Sequence, residues 1–267
     1  MTTQKLSDRF LLLGDSLTEW SFDNMGLGAT VQHLYQRRLD VQNRGLGGYN
    51  TRWGLEVFKQ WLPKAPSGSD PHTVLATLWF GANDSVLAAE SQHVPLDEFR
   101  ANLSAIVSLI RSPSSPYHDA ETEFILITPP PVSIPDWIIE REKRGLTGDV
   151  GREQSHTGKY AQAVVDVGRE LDIPVVNAFE RILDAVKREL AQGSAESEEK
   201  VLASYFTDGL HLSIKGYEQI VEGVKQVIAE KYPKKHWDER PMLFPDWKTI
   251  PWESAEGSVA YLREGTQ

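Results

Sequence analysis

Short, continuous apolar runs alternate along this chain with longer segments that are apolar at every third or fourth position. Runs of the first kind occur at residues 10–14, 41–43, 73–80, 124–128 and 174–176, and predict strands. The run at 73–80 is apolar almost throughout, as a parallel strand buried on both faces should be. Segments of the second kind predict helices at 26–39, 53–62, 96–112, 153–171, 178–191 and 213–231. In the first of these, Leu27, Val31, Leu34 and Tyr35 share a face. In the third, Phe99, Leu103, Ile106, Val107 and Ile110 do so. Pro63 ends the second helix, and Ser213 is placed to cap the last. Pro129, Pro130 and Pro131 stop the fourth strand and open a loop, and a Gly/Ser/Glu loop follows residue 191.

Strands that alternate with helices predict an α/β fold with a parallel sheet covered on both faces. Residues 232–267 depart from this pattern. They carry three Trp and four Pro with no clean period, and predict an irregular tail packed on a single body of residues 1–231.

Ligands of open parallel sheets bind at the carboxyl ends of the strands. Gly14-Asp15-Ser16 follows the first strand, and the glycine-rich Asn43 to Thr51 follows the second. Gly81-Ala82-Asn83-Asp84 follows the third, and Asp208-Gly209-Leu210-His211 precedes the last helix. Taken singly, each has a plain reading: a turn with an Asx bond at Asp15, a helix cap at Asn83, a solvated histidine at 211. The stretch at 45–48 lacks the G-x-G-x-x-G spacing of a dinucleotide site and is no Walker loop.

Taken together they offer complementary chemistry. Ser16 supplies a hydroxyl nucleophile, His211 a general base, and Asp208 a carboxylate that orients the imidazole. The Asp-x-x-His spacing lets one local turn bring carboxylate to ring. The backbone amides of Ser16 and Gly48 and the side-chain amide of Asn83 are donors suited to an oxyanion, and a glycine at 48 allows close backbone approach.

Composition narrows the classes. Of 267 residues, 40% are hydrophobic and 25% charged, ordinary for a globular domain. The net charge is −10, from 38 acidic and 28 basic residues, which argues against nucleic-acid and anionic-membrane partners. The short basic clusters at 37–38, 140–144 and 234–235 read as solvated surface. There is no cysteine, so disulfides and thiolate metal sites are excluded, and the scattered histidines imply no metal or other cofactor. No run reaches the roughly 20 apolar residues of a membrane span or forms a signal-peptide core. A soluble cytoplasmic protein is expected.

The four blocks resemble those of the GDSL, or SGNH, hydrolases. Gly14-Asp15-Ser16-Leu17 is similar to the first block, Gly48 to the glycine of the second, Gly81-x-Asn83-Asp84 to the third and Asp208-x-x-His211 to the fifth. The string from Asn43 to Gly54 is similar to the branch of isoamyl acetate-hydrolyzing esterases. The resemblance covers residues 8–230. It implies a flavodoxin-like, three-layer α/β/α sandwich around a five-stranded parallel sheet. It also implies Ser16, His211 and Asp208 as a triad, an oxyanion hole of Ser16, Gly48 and Asn83, and backbone-orienting roles for Asp15 and Asp84. The activity it implies is cytosolic hydrolysis of small acetate esters, in the realm of lipid degradation. No G-x-S-x-G elbow is present.

Trp20, Phe22, Trp79 and Trp137 lie near motif ends or in long loops and are candidates to wall an apolar substrate pocket; ordinary packing is the alternative. In the tail, Trp237, Trp247 and Trp252 are candidates to cover that pocket or to join two copies into a homodimer. Carbohydrate deacetylation, lysophospholipid or thioester cleavage, and a non-catalytic binding role are the alternatives to a short-chain esterase.

Overall fold

The structure, a computed structural model, describes residues 6–23, 25–146 and 150–264. The first five residues and the last three, which the predicted body and tail include, lie outside the described residues. Five parallel strands form one sheet: β1 (Arg9–Gly14), β2 (Asp40–Gly45), β3 (Thr73–Trp79), β4 (Glu123–Ile127) and β5 (Val175–Val176). Their spatial order is β2-β1-β3-β4-β5. The chain therefore steps from β1 to one side and returns to the other, leaving a topological switch point between β1 and β3.

Alternate side chains of each central strand enter opposite cores. Phe10, Leu12, Leu75, Trp79, Ile125 and Ile127 pack on one face, against α2 (Leu27–Leu34), α7 (Ala178–Ala191) and α9 (Ile214–Lys231). Leu11, Leu13, Ala76, Leu78, Phe124 and Leu126 pack on the other, against α3 (Thr51–Trp61), α4 (Leu96–Arg111) and α6 (Gln154–Glu170). A parallel strand in the middle of such a sandwich has no solvated face, so its sequence shows an apolar run instead of alternation. Among the described residues, no helix is long and apolar enough to cross a membrane.

Ser213 caps α9, its side chain accepting from the Gly216 amide. Three helices lie where loops or irregular chain were expected. α5 (Ile134–Lys143) follows the prolines, with Pro135 in its first turn, where a missing N–H costs nothing. α8 (Glu198–Ala203) is capped by Ser197 within the Gly/Ser/Glu stretch. In the tail, α10 (Ala255–Glu264) follows two short 3₁₀ turns.

The first part of the tail meets the body at the amino-terminal edge of the sheet. Tyr35 donates to the Lys235 carbonyl at 2.8 Å and meets the Trp237 ring edge-on at 6.2 Å. Arg240 pairs with Asp8 at 2.8 Å, and the Leu243 amide donates to the Arg37 carbonyl at 2.7 Å. Trp237 thus sits at the end of the sheet opposite the strand carboxyl termini and does not cover a pocket there. Trp247 and Trp252 are largely exposed. A chain ended at Tyr232 loses the Tyr35–Trp237 pair, and edge-on aromatic pairs contribute about 0.5–1.5 kcal/mol. It is expected to melt at least about 2 °C lower; an unchanged melting curve would show that these contacts carry no stability.

Candidate active site

β1 ends where two backbones come close. A Cβ on Gly14 would lie 2.4 Å from the Trp79 carbonyl oxygen and 2.2 Å from Thr18 Oγ1, so only glycine fits. The chain then turns into α1 (Ser16–Glu19), a single helical turn. Asp15 caps it, its Oδ1 accepting from the Leu17 amide at 2.9 Å. That cap fixes Ser16 as the first residue of the turn, buried but for 6% of its surface. The last glycine of β2 matters in the same way: a Cβ on Gly45 would lie 2.0 Å from the Glu19 amide nitrogen, so β2 and α1 pack backbone to backbone.

His211 arrives from a tight hairpin ahead of α9. Phe206 and Leu212 bridge as an antiparallel pair, and the Thr207 amide donates to the His211 carbonyl at 2.8 Å. At its tip, Asp208 Oδ1 accepts from the amides of Leu210 at 3.0 Å and His211 at 2.8 Å. The structure brings the three expected side chains into line. Ser16 Oγ lies 2.9 Å from His211 Nε2, and His211 Nδ1 lies 2.6 Å from Asp208 Oδ2. A carboxylate facing Nδ1 assigns the ring proton to that nitrogen, leaving Nε2 as the acceptor for the serine hydroxyl. Burial by itself would raise the Asp208 pKa. Hydrogen bonds and charge from His211, with the two backbone amides, outweigh that and bring it down to about 2.

The loop after β2 and the turn after β3 close on each other beside Ser16. Gly48 has φ +78°, a conformation glycine adopts freely. Its carbonyl accepts from Gln92 Nε2 at 2.7 Å, and the Gln92 carbonyl accepts from Asn50 Nδ2 at 2.9 Å. Asn83 Nδ2 donates to the Tyr49 carbonyl at 2.8 Å, which occupies one of its two amide protons. Among the described residues, the amides of Ser16 and Gly48 have no backbone acceptor. Asp84 Oδ1 accepts from both the amide and the hydroxyl of Thr51, at 2.9 and 2.5 Å, tying the β3 turn to the start of α3. Gln92 has no motif of its own, and sequence reasoning missed it.

The pocket candidates divide. The Trp20 ring lies over the His211 ring, centres 4.0 Å apart and planes 40° apart, and is 43% exposed. Phe22 is half-exposed and packs on Gly28, where a Cβ would lie 2.4 Å from its ring. Trp79 does not wall a pocket: it is fully buried, donates from Nε1 to the Thr128 carbonyl at 2.9 Å and packs edge-on against Tyr217. Its alternate position in a strand buried on both faces puts it in a core. Trp137 is also buried, on α5. Its Nε1 donates to the Val150 carbonyl at 3.3 Å, and the guanidinium groups of Arg144 and Arg152 lie 5.7 and 5.1 Å from its ring centre. Its backbone closes on the triad hairpin, where a Cβ on Gly209, at φ +88°, would lie 2.4 Å from the Trp137 amide nitrogen. Arg144, read from sequence as solvated surface, pairs with Glu140 at 2.8 Å and reaches Asp208 Oδ2 at 3.5 Å.

A GDSL-like lipase/acylhydrolase family model matches residues 12–219, which contain all four blocks. The chain belongs to that family. It is 35% identical over 259 residues to the bovine isoamyl acetate-hydrolyzing esterase 1 homolog, covering 96% of this chain and 93% of the relative. It is 31% identical over 252 residues to the isoamyl acetate-hydrolyzing esterase of Saccharomyces cerevisiae, covering 91% and 95%. Among solved structures, a lipase/acylhydrolase from Enterococcus faecalis aligns with TM-score 0.53 and 21% identity, over 83% of this chain and 95% of that one. A mutant form of an acetyl-xylooligosaccharide esterase from Geobacillus aligns with TM-score 0.55 and 19% identity, over 86% and 98%. These two likenesses establish a shared fold.

Two buried carboxyls of this family member, Asp15 and Asp84, stand apart from the triad. Desolvation by burial is the largest cause that lifts both, to about 7. For Asp15 the charge of Asp84 adds to the lift, and the Leu17 amide and Arg152 oppose it; for Asp84, Thr51 opposes it. Because each folded-state pKa exceeds the unfolded value, the unfolded chain releases these protons first as pH rises from about 4. The folded state therefore loses stability between about pH 4 and pH 7 through these two groups. Asp15→Asn keeps the acceptor for Leu17 and removes the charge. Its stability relative to wild type is expected to be better at pH 8 than at pH 4.5 in denaturant titrations; equal differences at both pH values would contradict this.

Proposed function

We propose that the chain is a serine esterase that hydrolyses short-chain, acetate-type carboxylic esters through an acyl-enzyme intermediate. The observation that carries this reading is the unbroken line Ser16 Oγ–His211 Nε2 and His211 Nδ1–Asp208 Oδ2, at 2.9 and 2.6 Å. Ser16 Oγ attacks the ester carbonyl carbon as His211 Nε2 takes the hydroxyl proton. Asp208 holds the ring and balances the imidazolium charge. The amides of Ser16 and Gly48 and the second amide proton of Asn83 meet the oxyanion; losing one such donor typically costs about 2.7–4 kcal/mol of barrier. The tetrahedral intermediate collapses, the C–O bond to the alcohol breaks, and the alcohol leaves with the proton from His211. Water then repeats the sequence on the acyl-Ser16 ester and releases the acid.

The names of the relatives at 31–35% identity support acetate esters as the substrate class. Trp20 supports small acyl or alcohol groups, since its indole stands directly over the reacting imidazole. The further reading of a cytoplasmic enzyme of lipid degradation rests on what the family resemblance implies. The exposed Trp247 and Trp252 favour a homodimer. Light scattering on the full chain and on a Trp247→Ala/Trp252→Ala variant tests that; a monomer at micromolar concentration sinks it.

Ser16→Ala and His211→Ala are expected to lose at least about 10³-fold in kcat on p-nitrophenyl acetate with melting unchanged, and a fluorophosphonate probe is expected to label Ser16. With p-nitrophenyl esters of increasing acyl length, kcat/KM is expected to fall beyond butyrate in wild type and to fall less in Trp20→Ala. A rising profile in wild type would favour the lysophospholipase alternative.

A further inference from the structure

Buried charge sets one residue apart from the rest of the site. Among the described residues, Arg152 is the one buried arginine or lysine, at 5% exposure. It lies between α5 and α6, in a segment no motif marks, and three separated parts of the site surround it. Its Nη1 donates to the carbonyl of Ala82, the residue directly before Asn83. Its guanidinium faces Trp137, whose backbone closes over Gly209 of the triad hairpin. The carboxylate of Asp15, directly before Ser16, is the foremost charge supporting its own, with Glu90 and Asp208 acting in the same sense and Arg141 against it.

The segment is itself anchored. The Leu87 amide donates to the Gly151 carbonyl at 2.8 Å, and Glu90 occupies the place a Cβ on Gly151 would need. A guanidinium out of water is unfavourable and persists where charges and hydrogen bonds compensate it. Burial lowers its pKa to about 10, so it remains a cation at neutral pH. Asp15 Oδ2 and Asp84 Oδ2 are buried without a hydrogen-bond partner among the described residues. Burial raises the Asp15 pKa, and the charge of Arg152 acts against that rise.

We propose that Arg152 is a positioning residue for the esterase reaction: it pins the Ala82 carbonyl, and with it the turn that carries Asn83. This rests on the serine-esterase reading. A hydrogen bond to one carbonyl of a tight turn sets the direction of the next side chain, and oxyanion donors act only when aimed at where the charge develops. Removing Arg152 should thus weaken transition-state binding and leave ground-state binding nearly intact.

The test measures kcat and KM on p-nitrophenyl acetate, and melting, for the full chain and for Arg152→Met, Arg152→Lys, Asp15→Asn and the Arg152→Met/Asp15→Asn double variant. Arg152→Met is expected to lower kcat about tenfold or more with KM changed less than about twofold. Arg152→Lys, which keeps the charge and one donor, is expected to recover part of kcat. A folded Arg152→Met with wild-type kcat, or with its loss confined to KM, overturns the proposal. If Arg152→Met does not fold, the double variant, which removes the cation together with its neighbouring charge, is compared with Asp15→Asn. A further fall in kcat of about tenfold supports the proposal, and equal kcat overturns it. A wild-type chain that neither hydrolyses the ester nor takes the fluorophosphonate label removes the esterase reading and this proposal with it; active wild type with indifferent variants removes this proposal alone.

Discussion

A hydroxyl and an imidazole 195 residues apart meet at 2.9 Å, and the rest of the site is arranged around that contact. Neither group comes with its partner in sequence. Ser16 is placed by the end of β1, and His211 by a hairpin that leads into α9. Their meeting requires the sheet order to be right and the layers to be close. Tyr217 of α9 reinforces it by donating to the Leu17 carbonyl at 2.8 Å, so the helix behind the histidine also grips the turn that bears the serine. Glycines at the ends of β1 and β2 let the backbones approach where a methyl group would collide.

The same crevice concentrates carboxyl groups, and the structure gives them different work. Asp208 is depressed by hydrogen bonds and by the imidazole, which keeps it ionised as the ring's partner. Asp15 and Asp84 are raised by burial and direct one oxygen each to backbone amides, those of Leu17 and Thr51. They act as braces for the two turns that carry Ser16 and Asn83. Buried carboxyls lower stability at neutral pH while giving stiff, short-range geometry, a combination commonly found where donors must be aimed before the reaction begins.

Family membership fixes the fold and the broad chemistry, whereas the walls of the crevice set the ester it accepts. Solved structures of similar fold are named as a lipase/acylhydrolase and as an acetyl-xylooligosaccharide esterase. Trp20 over His211 and α5 over the triad hairpin stand at the carboxyl end of the sheet, beside the triad. Helix α5 grips the hairpin at both ends: the Ser133 amide donates to the Gly209 carbonyl at 2.9 Å, and Arg144 reaches Asp208.

By itself the sequence determined the strands, the long helices and the four blocks of the site. Apolar runs and 3.6-residue periods depend on local composition, and a buried parallel strand or an amphipathic helix writes that composition directly. Residues 178–191 and the cap at Ser213 are legible for this reason. Only the tertiary structure decided that Trp79 is core, that Trp137 turns its ring to two guanidiniums, that Gln92 clamps Gly48, and that Arg152 is buried between three motifs. Helix α5 escaped notice because it follows a proline run and buries a single side chain, Trp137, so it carries little periodic signal. A side chain's type and spacing state what it can bond to; which partner it finds depends on segments distant in sequence, brought within reach by the packing of the layers.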